Sequence, residues 1–433
     1  MDRRAFLVTG TAALTACSVP GTEQLPGAAP AGVVPDWEWV RAQFDLAPDH
    51  VQMSSFYLAS HPRIVRDEIE RHRRTIDRNP FLAVHGQPDM PATIVAAAAE
   101  YLEGRPEEVA LTDSTTMGLA LIYHGLPLRA GQEVLTTTHD HYAHHESIRL
   151  AAGRAGATVR KIVLYDESAA AAEDEIVARL RRALRPQTRV VGVTWVHSGT
   201  GVKLPLRAIA AALAEHNASR SDGDRVLLVV DGVHGFGVED EAVATIGLDF
   251  FAAATHKWIL GPRGTGVIWG RDGRWADIQP TIPSFENEQL SVAWKQDKPP
   301  VGPTRASWVT PGGFKAFEHV WALPAAFAFH RQLGRARVAE RIHQLNTQCK
   351  DGLAAMKHVR LHTPRNPRLS AGLVSFEVDS LTPDAAVARL LQRRVVASAS
   401  PYATSFVRLA PSLVNSPADV DAALAAVRSL APG

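Results

Sequence analysis

Two apolar stretches decide what this chain can fold into. Residues 226–230 are apolar on five consecutive positions, and so are residues 250–254. A strand with one wet face alternates apolar and polar residues. Consecutive apolar residues mark a strand buried on both faces, as in a parallel sheet covered by helices. Each run gives way to residues with reactive side chains. The first ends in Asp231 and the second in Thr255-His256-Lys257, so an acid and a lysine stand 26 positions apart at two strand ends. In open α/β sheets, the carboxyl ends of the strands are where ligands bind.

The rest of the chain continues the alternation. Strands are expected at 109–112, 133–138, 159–164 and 189–196, with helices from 115 to about 124, over 173–184 and over 206–216. Residues 266–270 form a strand a tight turn beyond Lys257, too close for a parallel crossover, so this strand must run antiparallel. The pattern is that of an α/β fold with a mostly parallel sheet. Upstream, Asp36 caps a short helix to residue 44, and helices are expected over 61–74 and 92–102, with a loop at 79–89. Residues 278–313, rich in Pro and Trp, read as a long functional loop. Residues 314–356 read as helical. Strands at 373–378, 395–400 and 406–409 and helices at 383–393 and 417–430 then make a smaller α+β lobe. The division expected is residues 51–313 as a large domain, and 36–50 with 314–433 as a small one.

Composition narrows the chemistry. The 433 residues carry 46 Lys+Arg against 45 Asp+Glu, a balance that gives no reason to expect nucleic acid as a partner. The two cysteines, Cys17 and Cys349, supply neither a disulfide framework nor a cysteine-based metal site. The histidines of residues 139–145 invite a metal reading, against a polar loop and helix start; no metal is expected. No apolar run is long enough to span a bilayer.

The first 17 residues, MDRRAFLVTGTAALTAC, put Arg3-Arg4 ahead of a short apolar stretch of small residues. That is the charge order and length of a signal peptide. The pair resembles a twin-arginine export signal, and Leu14-Thr15-Ala16-Cys17 resembles a lipobox, which would lipidate Cys17. Residues 18–35, rich in Gly, Pro and Ala, read as a flexible tether. The expected location is the periplasm or cell envelope.

One cofactor chemistry uses an acid and a lysine at neighbouring strand ends. Pyridoxal phosphate (PLP) is held as a Schiff base on a lysine, and a carboxylate pairs with its pyridinium nitrogen. The alternative is a surface lysine and a helix-capping aspartate. The segment Ser114-Thr115-Thr116 opens a helix after the strand at 109–112. Such a start can bind phosphate or be a simple hydroxyl cap, and the two are compatible.

With these motifs in order, the chain resembles the fold-type I PLP enzymes, in particular the class V aminotransferase family, which includes cysteine desulfurases and isopenicillin N epimerase. The resemblance covers nearly everything after residue 36. It implies a PLP-dependent transferase fold, with a mostly parallel seven-stranded sheet in the large domain and a smaller α+β C-terminal domain. By it Lys257 carries the cofactor, Asp231 binds the ring nitrogen, and His234 lies near the phenolic oxygen. Ser114, Thr115, Thr116 and His256 match phosphate ligands. His141 matches the histidine that stacks on the ring, and Ser198 stands where many relatives carry an asparagine. Thr310 matches a segment that reaches the phosphate of a partner subunit, which implies a homodimer. Arg408, in Val407-Arg408-Leu409-Ala410-Pro411, matches an arginine that grips a substrate carboxylate as a bidentate fork. The start of the chain and residues 311–323 are similar to exported PLP enzymes of siderophore (pyoverdine) maturation.

The function implied is an exported PLP enzyme acting at the Cα of an amino acid, or of a residue in a small peptide, by transamination, epimerisation, elimination or oxidative decarboxylation. A cysteine desulfurase is disfavoured, because Cys17 lies outside the fold and Cys349 falls within a helix. The alternative from another class is a binding or scaffold protein that kept the fold and lost the chemistry. The presence of Asp231, Lys257 and the phosphate turn together argues against it.

Overall fold

The computed structural model describes residues 34–285 and 287–432. The signal-like segment with Cys17, and all of the tether but its last two residues, lie outside the described residues.

The first strand, β1 (Val51–Gln52), belongs to the smaller lobe, and seven strands follow it in the main sheet. They are β2 (Val109–Thr112), β3 (Glu133–Thr137), β4 (Thr158–Ile162), β5 (Thr188–Thr194), β6 (Leu227–Asp231), β7 (Phe250–Ala254) and β8 (Gly266–Gly270). Their order is β2-β8-β7-β6-β5-β3-β4. Only β8 runs antiparallel, to both its neighbours β2 and β7. Every residue of β6 and β7 is buried, as consecutive apolar runs require. The edge strand β4 is the exception, exposed or half-buried throughout. There Arg160 forks onto Glu133 of β3, with N–O distances of 2.7 and 2.8 Å.

In the smaller lobe, β9 (Val359–Leu361), β10 (Val374–Val378), β12 (Ser398–Ala399) and β13 (Val407–Leu409) form an antiparallel sheet ordered β12-β13-β10-β9. The two-residue β11 (Val395–Val396) pairs in parallel with β1. The core does not divide at residue 314. Trp321, Phe327 and Phe329 pack in one cluster with Val40, Ile94 and Phe251, while the cluster of the smaller lobe joins Leu345 and Cys349 to Phe376, Val407 and Val420.

Several local expectations are corrected. Residues 79–89 are not all loop: Pro80–His85 is a helix, capped by Asn79, whose side chain accepts from Leu82 N at 3.2 Å. Pro80 sits at the first helical position, where a missing N–H is harmless, so it starts a helix rather than breaking one. The long loop holds the helix Glu288–Lys295, capped by Asn287, and the turn Ala306–Val309. The strand expected at 395–400 splits into β11 and β12, which pair in different sheets. The helical stretch from 314 is cut at Gly334, whose φ of 82° lies in the left-handed region that favours glycine. Strand β9 was not expected.

The turn after β6 passes very close to aromatic rings. A Cβ built on Gly232 would lie 1.8 Å from Phe251 Cε2, and one on Gly235 would lie 2.3 Å from Trp195. Both rings are buried. Gly232→Ala should therefore lower the stability of the apoprotein by about 1–3 kcal/mol, the usual effect of overpacking a core. A urea midpoint equal to wild type would show that the ring yields freely and that this packing does not fix Asp231.

Candidate active site

The parallel strands deliver two charged groups to one place. Asp231 ends β6, in register with Ala252 of β7, and Lys257 follows β7 by three residues. Asp231 is buried, and one carboxylate oxygen accepts from Val233 N at 3.1 Å. Loss of water around it raises its pKa to about 6, although that N–H bond and Lys257 pull the other way. Lys257 is half-buried, and its Nζ lies 3.4 Å from His234 Nε2. Loss of water lowers its pKa to about 8, against the pull of Asp231. The two charges feel each other, yet their hydrogen bonds go elsewhere. Both line one cavity of about 280 Å³.

Another part of that cavity suits an anion. The helix Thr115–Gly125 begins there, and its cap Ser114 accepts from Met117 N at 3.1 Å. The Thr115 hydroxyl accepts from Ala254 N at 2.8 Å, which ties the helix start to the end of β7. Both hydroxyls keep a proton to donate, and Thr116 is exposed beside them. His256 lines the same wall, and its Nδ1 has no hydrogen-bond partner. A helix N-terminus with free donors is an anion site.

The upper wall comes from the smaller lobe. Arg408, on β13, donates from Nη1 to Ser198 O at 2.9 Å and from Nη2 to Ala399 O at 3.0 Å. Its Nε is buried without a partner, and its guanidinium lies over the Phe56 ring at 4.8 Å. Burial lowers its pKa to about 10, which leaves it charged at neutral pH. The carbonyl contacts fix the guanidinium, while Nε and one hydrogen on each terminal nitrogen remain for a ligand. His141 caps the helix Tyr142–Ala155, with Nδ1 accepting from Ala143 N at 3.2 Å. Burial, then the charges of Lys257 and Arg408, lower its pKa.

Ten of the eleven residues singled out in the sequence line this cavity. The exception is Thr310. Its hydroxyl accepts from Leu111 N at 3.0 Å and so satisfies an outward N–H of the edge strand β2. Ser198 departs from expectation in another way: its hydroxyl is bonded to Tyr402 at 2.7 Å. Tyr402 also sets its ring edge-on to His141. Sequence reasoning missed Tyr402, Phe56 and Tyr57. No periodic pattern marks them, since Tyr402 sits in the β12–β13 connection and the other two follow β1. The other histidines of the cluster are spoken for. His139 stacks on Tyr165, His144 bonds Tyr123 at 2.7 Å, and His145 Nε2 donates to Thr137 O at 2.7 Å.

PLP fits this donor set. A buried carboxylate with a raised pKa suits a cationic ring nitrogen, an amine with a lowered pKa suits a carbonyl, and the unpartnered His256 Nδ1 beside a helix start suits a phosphate.

Comparison with known proteins agrees. The chain is 28% identical to isopenicillin N epimerase of Streptomyces clavuligerus, over 83% of its own length and 89% of that protein. It is 24% identical to a probable cysteine desulfurase of Vibrio cholerae, over 74% of this chain and 78% of that one. Among solved structures, a C-DES mutant with glycine covalently linked to its PLP cofactor superposes with a TM-score of 0.80, covering 91% of this chain and 99% of the other at 24% identity. The cysteine desulfurase of Thermococcus onnurineus superposes at 0.77, covering 91% and 97% at 19% identity. The model of the family described as aminotransferase class-V matches residues 92–411, and with most of the chain matched to it this protein belongs to the class V aminotransferase family.

Proposed function

We propose that this PLP-dependent enzyme works at the Cα of an amino acid, or of an amino-acid residue in a small peptide. The observation that carries the reading is Asp231 and Lys257 facing one cavity, which the fixed Arg408 guanidinium also lines. When bound, PLP supplies an electron sink for a bond broken at Cα. Asp231 would hold the protonated ring nitrogen. Ser114, Thr115, Thr116 and His256 would hold the phosphate, and His141 would lie against the ring. Lys257, with a pKa of about 8, can carry or release a proton near neutral pH and would move the one at Cα. Arg408 would grip the α-carboxylate and so decide which Cα bond is presented. Transamination, epimerisation and elimination all begin with that proton removal.

The reading extends to export through residues 1–17, lipidation at Cys17, and a homodimer in which Thr310 serves the partner's site. Sequence features alone support these parts. A desulfurase role is disfavoured. Cys349 lies in the helix Arg335–Ala354, and burial pushes its thiol up to about 12, so it is not a nucleophile where it stands.

Three expected outcomes follow from this arrangement. A panel of amino acids and short peptides should include at least one whose Cα hydrogen exchanges with D2O on wild-type enzyme, and Lys257→Ala should abolish that exchange. Exchange that survives in Lys257→Ala would remove Lys257 from the proton path.

Asp231→Ala should bind PLP more weakly by about 3–5 kcal/mol, since one partner of a buried charged contact is lost. Wild-type affinity, measured by titrating apoprotein with PLP, would take Asp231 out of the cofactor site.

Arg408→Ala should lose about 2–4 kcal/mol in kcat/KM, mostly through KM, and Arg408→Lys should recover only part, because the fork is gone. Amidating the α-carboxylate of the substrate should reproduce the loss in wild-type enzyme. Equal turnover of acid and amide would contradict the carboxylate role and favour a peptide-borne residue.

A further inference from the structure

Lys257 is followed by Trp258, and both side chains reach the same histidine. Trp258 Nε1 lies 3.2 Å from His234 Nδ1, and Lys257 Nζ lies 3.4 Å from His234 Nε2. An indole nitrogen can only donate, so His234 Nδ1 must accept with its lone pair. His234 is buried, and loss of water, then the charges of Lys257 and Arg408, hold its pKa well below the ordinary value. The ring is therefore neutral and has a single proton to place. With Nδ1 accepting, that proton is on Nε2. Turning the ring over would set a carbon against the indole N–H and leave a buried donor unsatisfied.

We propose that Trp258 is a positioning residue whose indole N–H fixes the His234 proton on Nε2, so that the ring presents an N–H rather than a lone pair to Lys257 Nζ. A lone pair there would accept from the ammonium and hold Lys257 charged. An N–H there is satisfied only by the free electron pair of the neutral amine. Trp258 thus favours uncharged Lys257 through His234. The other charged or titratable groups facing this pair are Asp231, which favours the ammonium, and Arg408, His141 and His256, which do not. The indole has little room to move away. Trp258 is buried, and a Cβ built on Gly372, just ahead of β10, would lie 2.4 Å from its Cη2. The geometry stands without the proposed function. Only the consequence, control of the reactive amine, rests on that reading.

The test uses apoprotein, so a failure of PLP binding would sink the proposed function and leave this inference standing. In protein labelled with 15N-histidine, the His234 signals are identified by their loss in His234→Phe. The expected spectrum is a neutral ring protonated on Nε2, and protonation on Nδ1 would overturn the proposal even if no Trp258 variant folds. The second measurement is the pH dependence of reductive methylation of Lys257 by formaldehyde and cyanoborohydride, read by mass on its peptide. Trp258→Phe keeps the ring and removes the donor. It should raise the midpoint by about one pH unit, the scale of one hydrogen bond to a charged group. In the His234→Phe background the same substitution should leave the midpoint where it was. No shift in the wild-type background, or an equal shift in both, would reduce Trp258 to a packing residue.

Discussion

Asp231 and Lys257 stand at the ends of adjacent parallel strands, and each is held where its charge is poorly solvated. The carboxylate has its pKa raised to about 6 and the amine has its lowered to about 8. Direct contact would quench both, but the carboxylate is bonded to Val233 N and the amine points to His234. What keeps them so is the sheet. Strands β6 and β7 are buried on every residue, and the turn after β6 is wedged between Phe251 and Trp195 at two glycines. A site of this kind depends on a core that cannot relax, because water or a small backbone shift would let the charges meet or solvate.

The remaining walls are placed by the same sheet and by the smaller lobe. The hydroxyl of Thr115 fastens a helix N-terminus to the end of β7, so the anion site and the lysine share one strand end. The fork of Arg408 is held by carbonyls from both parts of the fold, Ser198 after β5 and Ala399 on β12. A shift of one lobe against the other would therefore break one of the two contacts that fix Arg408.

Much of this was legible in the sequence. Consecutive apolar runs gave the buried strands, and the short span from Lys257 to residue 266 required the antiparallel β8. The residues at strand ends gave the floor of the site. What sequence did not show depends on contacts with no period. Tyr402 reaches Ser198 and His141 from an irregular connection. The Val395–Ala399 stretch serves two sheets, because its first half pairs with β1 and its second half with β13. The loop expected at 79–89 holds a helix because a proline can begin a helix as well as end one, and here Asn79 caps the helix that Pro80 starts. Thr310 was set against a partner's phosphate by resemblance, while within the protomer its hydroxyl is taken by an edge-strand N–H.

The central claim is that Lys257, which lines one cavity with Asp231, is the amine that takes the cofactor. Wild-type protein loaded with PLP, reduced with borohydride, digested and read by peptide mass tests it most directly. The account predicts a pyridoxyl group on Lys257 and on no other lysine. Label on a different lysine, or none on a protein that turns yellow with PLP, would contradict it.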